Sequence, residues 1–304
     1  MTRALPALLL LGACVAPRTP APPPAVAAAP VPPVTVQPVA PIALQGKPEQ
    51  GGVAFGNAPA GATELRFGGE PLRIDGDGRF VIGFDRDAPP LLMLEGRLSD
   101  GRTLSQPVRI APRAWAIERV AVPKRPGVTN AEFERLRAPE VARIAAARAT
   151  VADASGWRQR FMWPAGGRIS GVFGSQRIYR GGEAGAYHSG VDIAAPAGTP
   201  VTAPADGVAR LAAADKPFTL EGHLLIVDHG GGLNSAFLHL SRIDVREGEQ
   251  VRQGQRVGAI GASGRTTGPH LHWAVKWRGA RVDPVALAGP PPGMTLRGVP
   301  VVGD

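Results

Sequence analysis

The chain has 304 residues, 44% of them hydrophobic, enough apolar material for packed cores over about two ordinary domains, and this excludes disorder throughout. Its net charge of +9 comes mostly from scattered arginines without a Lys/Arg run, which argues against a nucleic-acid-binding arm, and the absence of any run of 18 apolar residues argues against a membrane-spanning helix. A single cysteine, Cys14, excludes internal disulfides and multi-cysteine metal sites, so a metal would have to be held by His, Asp or Glu.

Residues 1–13, MTRALPALLLLGA, read as a signal peptide: Arg3 gives the positive start, Leu8 to Leu11 the apolar core, and Gly12 and Ala13 the small residues before cleavage. The order L-G-A-C resembles a lipobox, the signal of a lipoprotein-type leader. That resemblance implies cleavage before Cys14, acylation of its thiol, and a protein lipid-anchored to a membrane facing the periplasm or cell wall. Val15 rather than Asp follows the cysteine, which by the same likeness implies the outer membrane where a cell has one. Residues 14–41 are rich in Pro, Ala and Val with almost no charge, and predict an extended polyproline tether with a reach of roughly 80 Å at about 3.1 Å per residue.

Residues 42–125 alternate apolar and polar positions in short runs. The stretches DGDG at 75–78 and SDG at 99–101 are hairpin-type turn signals, and six or seven short strands at this spacing predict a small β-sandwich-like accessory domain. Residues 126–158 predict a helical linker: Thr129 and Glu132 fit a capping box, Phe133, Leu136, Val141 and Ile144 recur at helical spacing, and Pro139 is expected to kink or split the helix. Residues 160–290 return to β character in a Gly-rich, antiparallel second domain, followed by a tail over 291–304. The fold class is therefore mainly β, with a short helical connector between two β domains.

All six histidines lie between His188 and His272. Alternation along a strand puts His188, Gly190 and Asp192 of YHSGVD on one face, with the glycine leaving room beside a metal, and it puts His270 and His272 of GPHLHW on one face. In SAFLHLS, His239 shares a face with Phe237 and Ser235. Three strands can thus point His188, Asp192, His239, His270 and His272 into one cleft. Catalytic zinc takes three N/O ligands and leaves a fourth position for water, whose pKa it brings towards about 7. A hydrolase also needs groups that move protons and steady an oxyanion. Five residues divide naturally into three ligands and two helpers, and spacing alone leaves open which is which.

Residues 164–286 resemble the lysostaphin-like (LytM-type) zinc metallopeptidases that cut peptidoglycan peptides. The likeness runs in order through GRISGVFGSQR, HSGVDIAAPAGTPVTAPADGVA, HLLIVDHGGGLNSAFLHLS, VREGEQVRQGQRVGAIGASGRTTGPHLHW and VDPVAL. It implies one zinc per chain on His188, Asp192 and His272, with His239 and His270 as the catalytic pair that activates the water and steadies the oxyanion. The family often has Tyr two residues before the helper histidine; Phe237 stands there instead, which would remove a hydroxyl near the cleft. His229 and His223 read as a structural turn residue and a surface residue. Asp206 and Asp228 read as turn caps, and Trp273 and Trp277 as core.

The implied function is a zinc endopeptidase acting on peptidoglycan peptide stems, with other cell-wall enzymes as further partners. The alternative is a non-enzymatic amidase activator or scaffold built on the same domain. Relatives of that kind lack part of the His/Asp set, which this chain keeps whole. The scissile bond, a direct D,D cross-link or a Gly–Gly bridge, stays open.

Overall fold

Short strands separated by turns make up the first lobe of the chain, whose computed structural model describes residues 39–124 and 130–291. The leader, Cys14, the tether as far as residue 38, Thr129 and the tail from residue 292 lie outside the described residues. The first seven strands are β1 (Gln45–Gly46), β2 (Val53–Asn57), β3 (Ala62–Phe67), β4 (Glu70–Pro71), β5 (Arg79–Gly83), β6 (Leu91–Leu98) and β7 (Thr103–Arg109). They form two antiparallel sheets, one in the order β1-β2-β5 and one in the order β4-β3-β6-β7. The SDG stretch closes the β6–β7 hairpin, with Gly101 N–H donating to Leu98 O at 3.0 Å. The DGDG stretch is a turn as well, but it carries the chain from one sheet to the other and closes no hairpin.

After β8 (Ile117–Arg119) comes α1 (Ala131–Ala149), then β9 (Arg168–Gly171), β10 (Gln176–Ile178), β11 (Val191–Ala194), β12 (Pro200–Thr202) and β13 (Gly207–Ala212). The long central strands β14 (His223–Gly230) and β15 (Leu233–Ile243) follow. The set ends with β16 (Gln250–Val251), β17 (Arg256–Ile260), β18 (His270–Trp277), β19 (Ala280–Val282) and the short α2 (Val285–Ala288). The large sheet runs β16-β13-β14-β15-β18-β11-β9; β17 branches from β15 and β19 from β18.

Alternation splits this sheet into two faces. Phe237, Leu271, Trp273 and Val275 point into the main core, while Ala236, Leu238 and Ala274 face the other way. The main core does not stop at the lobe boundary. Val53, Phe80 and Ile82 of the first lobe belong to the same buried cluster as Trp157, Leu233 and Trp277. Phe67 meets Trp277 edge-on at 6.4 Å, and Arg113 pairs with buried Asp283 at 2.9 Å.

Helix α1 lies on the second face, where Ile144 and Ala147 pack against the cluster of Leu211, Leu224, Ile226 and Ala236. Its N-cap is Asn130, whose side-chain oxygen accepts from Phe133 N–H at 2.8 Å; the proposed partner Thr129 lies outside the described residues. The helix runs through Pro139 without being split. Contacts beside the proline hold it to the domain: Arg137 forks onto Glu221 at 2.6 and 2.8 Å, and buried Glu140 accepts from the backbone and hydroxyl of Thr219 at 2.8 and 2.6 Å. Tertiary bonds here outweigh the local helix-breaking tendency. Among the described residues no helix is long and apolar enough to cross a membrane.

Candidate metal centre and active site

Register brings the first two acidic and imidazole donors together. β11 pairs antiparallel with β18 so that Asp192 stands opposite His272, and Asp192 Oδ1 lies 2.9 Å from His272 Nδ1. His188 joins from the extended segment before β11, not from the strand itself. Its backbone is pinned there by His188 N–H donating to Ser175 O and by His188 O accepting from Gly174 N–H, both at 2.8 Å. The shared-face argument for residues 188, 190 and 192 therefore fails, although the residues still converge. His188 Nδ1–H donates to Val172 O at 3.0 Å, which fixes the tautomer and leaves Nε2 free 3.1 Å from Asp192 Oδ1 and 3.0 Å from His272 Nδ1.

These three donor atoms suit a small tetrahedral cation. Zinc bonds of about 2.0–2.2 Å separate neighbouring ligand atoms by about 3.3–3.5 Å, close to the spacing seen here. Space around them has been cleared. A Cβ on Gly171 would lie 2.5 Å from Asp192 Oδ2 and 3.0 Å from His188 Cε1, and one on Gly190 would lie 2.8 Å from His272 Nε2. Burial opposes the charge on Asp192, but the His188 and His272 imidazoles beside it outweigh burial and hold the carboxyl well below the usual carboxylate range. Burial also pushes His272 down, towards the neutral imidazole a metal needs. Burial works the same way on His188, but the neighbouring Asp192 carboxylate outweighs it and raises that ring.

His239 and His270, the two histidines expected to be helpers, flank this centre. His270 precedes His272 by two on β18, and its Nε2 lies 3.7 Å from Asp192 Oδ1. Its Nδ1 faces Gly268 O at 2.9 Å and Thr266 Oγ1 at 3.1 Å. The His239 ring lies 4.9 Å from the His270 ring, tilted to it, and 6.4 Å from the His272 ring, edge-on, and its Nδ1–H donates to Ser263 O at 2.9 Å. Burial lowers its pKa, against the pull of the Ser263 carbonyl, so the ring is neutral with Nε2 free.

His239 does not share a face with Phe237 and Ser235. Those two point to the core, where Ser235 Oγ accepts from Trp273 Nε1–H at 3.2 Å. The register of β14 against β15 shifts between the Leu225–Phe237 and His223–Leu240 pairs, which gives β15 one extra residue, and His239 sits there with φ of 63°. This bulge turns the His239 ring to the side of Leu238 and His272. Phe237, before the bulge and in register with Leu225 and Trp273, points into the core at 0% exposure, away from the side His239 faces.

The other acidic and imidazole groups take structural places. Fully buried His229 donates from Nδ1 to Asp206 O at 2.8 Å and accepts at Nε2 from Ser235 Oγ at 2.9 Å. Asp228 accepts from Gly230 N–H at 2.9 Å as a turn cap, but Asp206 does not cap its own turn: its carboxylate accepts from Gln253 N–H at 2.7 Å and from Gln159 Nε2–H at 2.9 Å, both 47 residues away. His223 is half-buried, not at the surface, with Nδ1–H donating to Ala213 O at 2.9 Å. Trp273 and Trp277 lie in the core. The carbonyls of Val172 and Ser263 and the clearance at Gly171 were missed by sequence reasoning, because backbone oxygens carry no residue signature.

Residues 186–284 match peptidase family M23. The chain is 39% identical over 128 residues to the DD-carboxypeptidase/endopeptidase Mpg of Neisseria meningitidis, covering 42% of this chain and 29% of that protein. It is 38% identical over 125 residues to the peptidoglycan DD-endopeptidase ShyA of Vibrio cholerae, covering 41% and 28%. The chain thus spans less than a third of the length of these curated relatives. Among solved structures, a candidate peptidase M23 from Pseudomonas aeruginosa is 31% identical with a TM-score of 0.62, covering 80% of this chain and 96% of that one.

Proposed function

The chain belongs to peptidase family M23, and on that premise we propose that it is a zinc-dependent endopeptidase hydrolysing peptide cross-links of peptidoglycan. The observation that carries this reading is the convergence of His188, Asp192 and His272 within 3.1 Å of one another, with His239 and His270 beside them. The intact set supports an enzyme over a non-enzymatic activator. The activities of the Neisseria and Vibrio relatives, a DD-carboxypeptidase/endopeptidase and a peptidoglycan DD-endopeptidase, support the substrate class.

His188 Nε2, Asp192 Oδ1 and His272 Nδ1 would hold the ion. When bound, zinc supplies Lewis acidity and makes a water ionisable near neutral pH. The rest is done by the chain. His239, neutral and oriented through Ser263 O, takes a proton at Nε2 and later returns it to the leaving amine. His270, with Nδ1–H held by Gly268 O, would steady the oxyanion that develops on the scissile carbonyl by donating Nε2–H as an imidazolium. The Asp192 carboxylate stays charged and compensates the cationic centre. Export and anchoring through a lipidated Cys14, with the proline-rich tether as reach into the wall, complete the reading and rest on the L-G-A-C leader.

Purified protein incubated with sacculi is expected to release peptide-cleaved muropeptides, seen by mass spectrometry. His239→Ala is expected to keep about one zinc per chain and to lose cleavage by roughly 10²–10⁴-fold. Sacculi left intact by the zinc-loaded wild type, together with stimulation of an added amidase, would overturn the enzyme reading.

A further inference from the structure

Beside the metal centre a cavity of about 250 Å³ lies between α1 and the second face of the large sheet. His272 and Ser189 line one end, and Ala236, Leu238 and Ala274 lie on its sheet side. Three cations, Arg148, Lys276 and Arg281, also line it. None of the three has a carboxylate partner among the described residues. Arg148, in the last turn of α1, donates from Nε to the Asn234 side-chain oxygen at 3.2 Å. Arg281 donates from Nη1 to Tyr187 Oη at 3.1 Å, and its backbone N–H is held by Asp85 of the first lobe at 2.8 Å. The Lys276 side chain, on a residue paired with Asn234 and Arg281 in the sheet, has neither a hydrogen bond nor an ion pair among the described residues.

Clustering like charges without a counter-ion is costly, and here the cost is visible. Burial first, then Arg148 and Arg281, push Lys276 down to about 8, with Asp85 opposing only weakly. The acid that does line the cavity, Glu221, is already taken by the Arg137 fork. The sheet supplies a rigid frame for the cluster. His272 and Lys276 stand on one face of β18 four residues apart, about 13 Å along the strand, which an extended peptide covers with about four residues.

We propose that Arg148, Lys276 and Arg281 form a carboxylate-binding subsite at the far end of this cavity, which selects stem peptides carrying a free carboxylate over neutral peptides. The identity of the ligand rests on the endopeptidase reading. A bridge made only of glycine carries no side-chain charge and leaves the three cations uncompensated. An acidic stem peptide neutralises them while its backbone lies along the cavity towards His272. Tyr187 and Asp85 position Arg281, so the first lobe takes part in shaping the subsite.

The test uses stem peptide released from sacculi and the same peptide after carbodiimide amidation of its carboxylates. Each is titrated calorimetrically into the zinc-loaded full chain. The wild type is expected to bind the acid form at least about tenfold more tightly than the amide, from the charge-assisted bonds it makes. Lys276→Gln and, separately, Arg281→Gln are expected to bring the two affinities within about threefold, and Lys276→Arg to restore the preference. Zinc content and thermal midpoint report whether each variant is folded. Equal binding of acid and amide by the wild type would overturn the proposal, as would a tenfold preference that survives in both Gln variants. A wild type that prefers the acid form but leaves sacculi uncut would sink the endopeptidase reading and leave the subsite standing.

Discussion

Gly171→Ala tests whether the metal centre depends on cleared space as much as on its donor atoms. The backbone tolerates the change, because Gly171 is not among the glycines with positive φ. The new Cβ would lie 2.5 Å from Asp192 Oδ2 and 3.0 Å from His188 Cε1, where ordinary contact begins at 3.4 Å. The carboxylate must therefore retreat by about 0.9 Å and the His188 ring by about 0.4 Å, from the same figures. Metal–ligand distances tolerate only about 0.2 Å. Two of the three proposed ligands are displaced beyond that, so zinc affinity is expected to fall about 10–100-fold, or about 1.4–2.7 kcal/mol. The zinc-free fold should lose a similar amount, about 1–3 kcal/mol, as for other overpacked sites. Gly166→Ala is the control, since its Cβ meets nothing within 4 Å. Competition for zinc against a chromophoric chelator measures the affinity, and thermal unfolding of the zinc-free proteins measures the fold. A Gly171→Ala affinity within twofold of wild type would refute the reasoning.

Three further outcomes are expected. His188→Ala and Asp192→Ala should each purify with far less than one zinc per chain, measured by elemental analysis, while wild type retains about one. His229 is held near 4 by burial against an ordinary 6.5, so the unfolded chain binds the extra proton between those values; stability is full above pH 6.5 and falls by about 3 kcal/mol as pH drops to 4. Urea unfolding of wild type and His229→Gln across that window should show a shallower pH dependence in the variant, since the other histidines titrate alike in both. Mass spectrometry of the mature N-terminus should find Cys14 first and acylated; a free thiol there would leave a plain secretory leader.

Much of the centre was legible because the chemistry needs particular side chains. His188, Asp192, His239, His270 and His272 stand out in sequence since imidazole is scarce here and occurs only in the second lobe. Strand alternation correctly put His270 and His272 on one face, because β18 is regular over both. It failed for His188, which lies outside β11 and owes its position to backbone bonds with Gly174 and Ser175. The helix was legible from its spacing, but its position over the sheet was not. The fork from Arg137 to Glu221 joins residues 84 apart, and no local pattern reports such a pair.

The bulge at His239 shows most clearly why local reading ran out. Two non-glycine residues have positive φ among the described residues, Arg278 and His239. Arg278 sits in the tight turn between β18 and β19, where such a backbone is expected. His239 sits inside an eleven-residue strand that has no glycine or proline to mark a break. The left-handed conformation costs a β-carbon-bearing residue about 1 kcal/mol or more. The extra residue takes His239 out of the core and returns Leu240, after the bulge, to the core side that Phe237 faces before it. What the conformation does is bring the ring beside His270 and His272, with its N–H groups engaged by Glu221 O and Ser263 O at 2.8 and 2.9 Å. The bulge thus serves core and cleft together: it seats Leu240 inside and gives His239 the position its proposed proton-transfer role needs, and Glu221, whose carbonyl holds His239 N–H, pairs through its carboxylate with Arg137 on the helix that borders the cavity.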